Sequence, residues 1–530
     1  MWQTARDTLL GLAAGAALLG LQAAGDGITA DGIRAHLSFL ASDRLQGRAP
    51  GSPGAVLAAE YIAARLGEAG LEPVGGAYYQ DVPVTGMTTD PGTATLAFDG
   101  GDTRLAARYP EDAVIWAGAP DQELAVTGEL VFVGYGIRAP EWRWDDFKGK
   151  DLTGKVLLFL VGDPPAPPEE EGLFDGPATT YYGRWSYKLE EARRRGAAGV
   201  LIIHRAGPAG YGWSVVESSW TGERLALSPD DGRPLPLRGW LRHRFADRLL
   251  ARAGLDLDEL AVSAARRDFR PVPTGLLVRA RLDGASRAVS ARNVVAYLPG
   301  RSDEVVVLNA HYDHLGVGPP VRGDSIYNGA YDNASGVGLL LEVAGALARA
   351  GPGERGILVL ATTGEEAGLL GTRHYVRHPL IPLERTVAVV NIDGANLWGE
   401  TDDVIAPGAD RSTLGELLGW RAEEMGMDVR TDPAPERGAF CRSDHFPFAR
   451  AGVPALQVQH GLRYRGRPAG WGDRMIARWM RDHYHQPSDE LPANLDLSGA
   501  VQQARLIFRL TLDIANAAAR PETRAVSRNP

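Results

Sequence analysis

At 530 residues the chain exceeds one ordinary domain, so two or three folded units are expected. Its 44% hydrophobic and 23% charged residues exclude general disorder. A net charge of -10 opposes contact with a phosphate backbone; no basic stripe with interleaved aromatics offsets it, so nucleic acid is not an expected partner. The only cysteine, Cys441, excludes an intramolecular disulfide and a thiolate zinc cluster, so any metal must be held by histidines and carboxylates.

Residues 1–25 have the pattern of a signal peptide, with Arg6 ahead of an apolar run at 9–21 and the small residues Ala23, Ala24 and Gly25 after it. The run is shorter than the roughly 20 apolar residues that cross a bilayer. A periplasmic or secreted protein is expected, with no membrane attachment after cleavage. Helices follow at 33–40 and 54–69, the second with Leu57, Tyr61, Ile62 and Leu66 on one face and Gly70 as its stop. The Gly- and Pro-rich stretch 46–53 (QGRAPGSP) separates them. From about 124 to 282 short apolar strands such as 130–133 and 156–161 alternate with turn signals, which marks a separate β-rich domain. Within it, 189–195 followed by 200–203 indicates a helix feeding a buried strand, and the Pro-rich, acidic 164–172 an exposed loop.

From Asn293 onward the pattern becomes strand, loop and helix: strands at 294–298, 305–308, 357–361, 387–392 and 455–458, helices at 336–349, 414–425 and 497–517. This predicts an α/β fold with a mixed, mostly parallel central sheet flanked by helices. Polar residues gather just past these strands: His311 and Asp313 in HYD, Glu365 and Glu366 in TGEEAG, and Asp393 in NIDG. In open α/β sheets the crevice beyond the carboxyl ends of the strands is where ligands bind. Asp332 opens the apolar helix after YDNASG, where it or Asn333 could equally be a helix cap. His485 lies in the loop HYHQPSD before the last helix. Each motif is weak alone. Their order and combination supply histidine and carboxylate donors suited to zinc, with further residues left for supporting and base roles.

The segments HYDHLG, YDNASG, TGEEAGLLGT, NIDG, RSDHFPFARAGVPAL and YHQPSDE, with LASDRLQGRAPGSPG nearer the N-terminus, resemble the co-catalytic di-zinc aminopeptidases related to glutamate carboxypeptidase II and the transferrin receptor. The resemblance implies a zinc-exopeptidase fold carrying an inserted protease-associated domain. Its divisions would be a signal peptide at 1–25, a first peptidase segment at 26–120, the insertion at 121–284, the main peptidase segment at 285–520 and a disordered tail at 521–530. It also implies two zinc ions, His311 and Asp393 holding one, Glu366 and His485 the other, and Asp332 bridging them. Asp313 would orient His311 through its second ring nitrogen. Glu365, left uncoordinated, would be the base that activates a metal-bridging water to release N-terminal residues from a peptide substrate.

His314, His445, His460 and His483 exceed what two metals need, and Tyr464 or Tyr484 could each donate to an oxyanion. Ser443, Asp444 and His445 are consecutive and so cannot converge as a nucleophilic triad. Cys441 fits a small buried residue better than a reactive one. A carboxypeptidase, with Arg442 or Arg463 receiving the terminal carboxylate, a glutaminyl cyclase and a non-catalytic binding protein are the competing readings. Oligomeric state is not legible.

Overall fold

A computed structural model describes residues 25, 27–118, 123–228, 235–491 and 494–524. The expected signal peptide lies outside these residues apart from Gly25. The chain folds into two compact units. Of the described residues, the first unit takes those up to Val82, Ser290–Pro433 and those from Arg442 onward; the second takes Pro83–Val289 and Ala434–Cys441.

The first unit is built on a sheet ordered Ala455–Gln457, Thr386–Asn391, Val305–His311, Gly356–Thr362 and the 290–298 portion of Val272–Leu298. Neighbours are parallel except for the last pair, in which Val294 opposes Ala361 antiparallel. Val305–His311 is buried along its whole length, as expected for a parallel strand covered on both faces. Its side chains alternate between two cores. Val306, Leu308 and Ala310 pack with residues from Ala30–Leu40, Pro53–Glu68, Gly336–Ala350 and Ser498–Asn516, while Val305 and Val307 join Tyr375 of Leu370–Arg377 and Phe448 of His445–Arg450. The expected α/β fold with a mostly parallel central sheet between helices is therefore what forms.

Local sequence fixes the helix ends. Thr29 accepts from the Gly32 amide and Ser52 from the Ala55 amide, and Pro53 occupies the first turn where its missing N–H costs nothing. Three helices of this unit, Leu370–Arg377, His445–Arg450 and Trp471–Asp482, are not among those the sequence predicts. The end of the chain departs from the disordered tail expected at 521–530: Thr523 bridges to Ser412, the Glu522 amide donates to Thr413 Oγ1 at 3.0 Å and Arg524 pairs with Glu416. Residues 525–530 lie outside the described residues.

The second unit has its own sheet, ordered Ala113–Ala117, Leu237–Arg242, Gly199–His204, Val156–Leu160, Glu123–Phe132 and the 272–289 portion of Val272–Leu298. Four inner strands are parallel and the two outer pairs antiparallel. Helices such as Trp185–Arg194 and His243–Arg252 accompany the strands, so this unit is mixed rather than simply β-rich. It begins at Pro83, ahead of the boundary expected at 121, because Thr95–Gly100 pairs with 277–281 and Ala113–Ala117 pairs with Leu237–Arg242. It also captures 434–441, where the Thr179 amide donates to the Pro435 carbonyl at 2.9 Å. Among the described residues, no helix is long and apolar enough to cross a membrane.

Candidate metal centre

Three strands of the first unit end at one edge, and their carboxyl ends deliver the polar residues. His311 is the last residue of Val305–His311, Glu365 and Glu366 lie in the loop after Gly356–Thr362, and Asp393 follows Thr386–Asn391. Asp332 comes from the irregular turn Ala330–Ser335 ahead of Gly336–Ala350. It does not cap that helix. Asn333 Oδ1 does so instead, accepting from the Gly336 amide at 3.0 Å and the Gly394 amide at 2.9 Å. The Asp332 carboxylate is thereby left for another task.

That carboxylate stands between two groups. On one side, His311 Nε2 is 3.4 Å from Asp332 Oδ1 and 3.5 Å from Asp393 Oδ1. On the other, His485 Nε2 is 3.4 Å from Asp332 Oδ2 and 3.1 Å from Glu366 Oε2. The donor atoms of His311, Asp332 and Asp393 lie within 4.8 Å of one another, as do those of His314, Asp332 and Glu366. His314, which sequence reasoning set aside, is drawn in through Nδ1, 2.7 Å from Glu366 Oε1. Its own motif, HYDHLG, was visible; the turn that aims it at Glu366 was not.

These residues suit divalent cations. Buried Nε2 atoms of His314 and His485, and Asp313 Oδ2, have no hydrogen-bond partner, a costly arrangement unless something else engages them. The donor set is imidazole and carboxylate, the chemistry zinc accepts.

The electrostatics follow from this crowding. Burial lowers the pKa of His311, but Glu365, Asp332 and Asp393 outweigh it and hold the imidazolium well above its ordinary range. Burial would raise Asp332, yet the imidazoles of His311, His485 and His314 close to its carboxylate hold it well below the usual carboxylate value. Glu366 is likewise penalised by burial and brought down to about 2 by His485 and His314. Glu365 goes the other way: burial, with Glu366 and Asp393 adding to it against His311, raises its carboxyl well above the usual range. Burial and neighbouring charges thus push two adjacent glutamates in opposite directions.

Supporting residues come from several segments. The Asp313 carboxylate is 3.8 Å from His311 Nδ1, beyond hydrogen-bond range; its backbone oxygen is nearer, at 3.3 Å, and its Oδ1 accepts from the Glu365 amide at 3.1 Å. Asp489 accepts from the amides of Tyr331 and Asp332 at 3.0 and 3.1 Å, fixing the turn that carries Asp332. Arg48, fully buried, donates through Nε to the Tyr312 carbonyl at 2.7 Å and through its terminal nitrogens to Asn328 at 2.6 Å, Gly329 at 2.9 Å and Leu40. Neither Asp489 nor Arg48 was singled out from sequence, although YHQPSDE and QGRAPGSP contain them.

The remaining candidates sort plainly. Asp444 accepts from Thr362 and Thr372, and Ser443 Oγ accepts from Asn391 Nδ2 at 2.8 Å, so no triad forms there. His460 faces Tyr331, and the exposed side of His483 contacts Ser488. Arg463 is engaged by Asp428 and the Asp402 carbonyl, which removes one cation from the carboxypeptidase reading. Cys441 is buried.

Residues 293–511 match the model of Peptidase family M28. Over 192 residues the chain is 29% identical to Aminopeptidase YwaD of Bacillus subtilis (strain 168), covering 36% of each protein. It is 28% identical over 209 residues to the Alkaline phosphatase isozyme conversion protein of Escherichia coli (strain K12), 37% of this chain and 60% of that one. The matched region thus spans between about a third and three fifths of these relatives. The fold is similar to that of an aminopeptidase from Aneurinibacillus sp. strain AM-1, with a TM-score of 0.54 and 18% identity over 96% of this chain and 97% of that one.

Proposed function

We propose that this chain, whose residues 293–511 belong to Peptidase family M28, is an exported zinc aminopeptidase that releases N-terminal residues from peptides. The observation that carries the reading is Asp332 standing between a His311–Asp393 group and a His485–Glu366 group, each within ligand-like reach. His311 and Asp393 would hold one zinc, Glu366 and His485 the other, and Asp332 would serve both. His314 braces Glu366. When bound, two such ions polarise a carbonyl and make water more acidic.

The protein's own groups do the rest. Glu365, outside the proposed ligand set, takes a proton from the attacking water on its carboxylate and returns it to the leaving amine nitrogen. Asp313 holds the Glu365 backbone through its amide, which fixes where that carboxylate starts. Asp489 and Arg48 keep the loops of Asp332 and His311 in register. We read the second unit as the inserted protease-associated domain, and the apolar run at 9–21 supports export to the periplasm or beyond.

A panel of free-amine, N-acetylated and C-amidated dipeptides, with and without a chelator, tests the activity. Hydrolysis that needs a free amine, tolerates amidation and stops with the chelator is expected; cleavage that needs a free carboxylate would instead identify a carboxypeptidase. Glu365→Gln should reduce turnover by roughly a hundredfold or more while zinc content is unchanged. Lost zinc, or near-normal turnover, would remove Glu365 from the role of base.

A further inference from the structure

Residues 363–371 lead from the strand Gly356–Thr362 into the helix Leu370–Arg377 and carry both Glu365 and Glu366. The turn has little stiffness of its own. Gly364 and Gly368 take positive φ, +70° and +104°, where glycine lowers the cost of turning but leaves an unsupported backbone many alternatives. Pairing across the neck of the loop holds it. The Leu370 amide donates to the Gly364 carbonyl at 2.9 Å, and the Gly371 amide to the Thr363 carbonyl at 2.8 Å.

Two side chains from remote segments complete that neck. Asn293 spans one level, accepting from the Thr363 amide at 3.2 Å and donating through Nδ2 to the Gly371 carbonyl at 2.9 Å. One residue further out on each side stand Thr362 and Thr372, and there Asp444 closes the gap. Its Oδ2 accepts from Thr362 Oγ1 and its Oδ1 from Thr372 Oγ1, the latter at 2.5 Å. Asp444 is fully buried, so both oxygens are committed to the two ends of the loop. Ser443, just before it, accepts from Asn391 Nδ2 at 2.8 Å, so the same short segment also grips the strand that leads to Asp393.

What the neck encloses gives this arrangement a consequence beyond packing. A carboxylate that takes a proton from water and delivers it to an amine must stand within hydrogen-bond reach of each. A displacement of about 1 Å can cost on the order of a hundredfold in rate. We infer that Asp444 is a positioning residue for Glu365: by fastening both ends of residues 363–371 it sets where the Glu365 carboxylate stands, and it acts on the chemical step without touching substrate. The inference rests on Glu365 being the base of an aminopeptidase and adds the residue that places it.

The test measures kcat, KM and zinc content on a leucyl anilide for zinc-loaded Asp444→Ala and Thr372→Val, each alone and combined with Glu365→Gln, and for Thr372→Ser. Thr372→Val removes a single hydroxyl with nearly unchanged shape and supplies the answer should Asp444→Ala fail to fold. Both single variants should lose roughly tenfold or more in kcat per zinc bound, with KM altered by no more than about twofold. Thr372→Ser keeps the hydroxyl and should restore most of the wild-type rate. Combined with Glu365→Gln, the same substitutions should cost little more, because the group they place is already gone. A kcat near wild type, an equal fold-loss with and without Glu365, or a loss that vanishes when rates are expressed per zinc bound overturns the role of Asp444. A wild type that cleaves no free-amine substrate with zinc present, or a Glu365→Gln variant as fast as wild type, removes the reading on which the inference rests and the inference with it.

Discussion

Arg48 joins loops that are far apart in sequence: its guanidinium donates to carbonyls at Leu40, Tyr312, Asn328 and Gly329. Burial lowers its pKa to about 10 against the pull of Asp313, Asp489, Asp332 and Glu366, so it remains the cation facing these acids. Arg48→Met would leave buried acceptors unpaired and remove that charge, at a cost of about 3 kcal/mol or more. Arg48→Lys keeps the charge but cannot reproduce the fork of donors. Denaturant unfolding should show both variants destabilised, lysine less so, and both should retain less zinc after dialysis. Unaltered stability and zinc retention in Arg48→Met would show that the loops hold themselves. At this scale the site was only partly legible. The residues of HYD, TGEEAG and NIDG could be placed because they follow apolar strands, a pattern visible in sequence. His314, Asp489 and Arg48 could not, because their roles depend on how loops turn back on one another.

Regular elements were easier to anticipate where burial imposes a period. The strands near 305–308 and 357–361 and the helix from 336 were predicted and form as Val305–His311, Gly356–Thr362 and Gly336–Ala350. Trp471–Asp482 escaped because its apolar residues are interspersed with Arg474, Arg478 and Arg481 and its apolar side is not fully covered. In the second unit the helix Trp185–Arg194 carries a buried Lys188, which donates to the carbonyls of Tyr135 at 2.5 Å and Gly162 at 3.2 Å. Asp146 and Asp163 share its surroundings. Burial raises both carboxyls to about 7 and lowers Lys188 to about 8. The raised carboxyls contribute stability that is complete below their unfolded value of 3.8 and is lost as pH climbs through about 7. Lys188, depressed, contributes above 10.5 and loses that as pH falls through about 8. Unfolding followed by tryptophan fluorescence should therefore give a lower midpoint for this unit near pH 7 than near pH 5, and Asp146→Asn should shrink the difference. A midpoint that rises over that interval would contradict the assignment.

Across the whole molecule, the division into two units was legible from a change in strand and turn pattern, but its boundary was not. The pairing of Thr95–Gly100 with 277–281 joins segments almost two hundred residues apart, and no local pattern in 83–120 announces such a partner. The same is true of 434–441, a short piece drawn out of the first unit's sequence into the second. Local periodicity reports which face is buried; it does not report against what. The central proposal, two metal ions sharing one aspartate, is likewise a statement about segments that meet only in the fold. Elemental analysis of the zinc-loaded chain and its Asp332→Ala variant tests it most directly. The account predicts about two equivalents of zinc in the wild type and a loss from both positions in the variant; a wild type that holds no zinc, or a variant that keeps the full wild-type content, would contradict it.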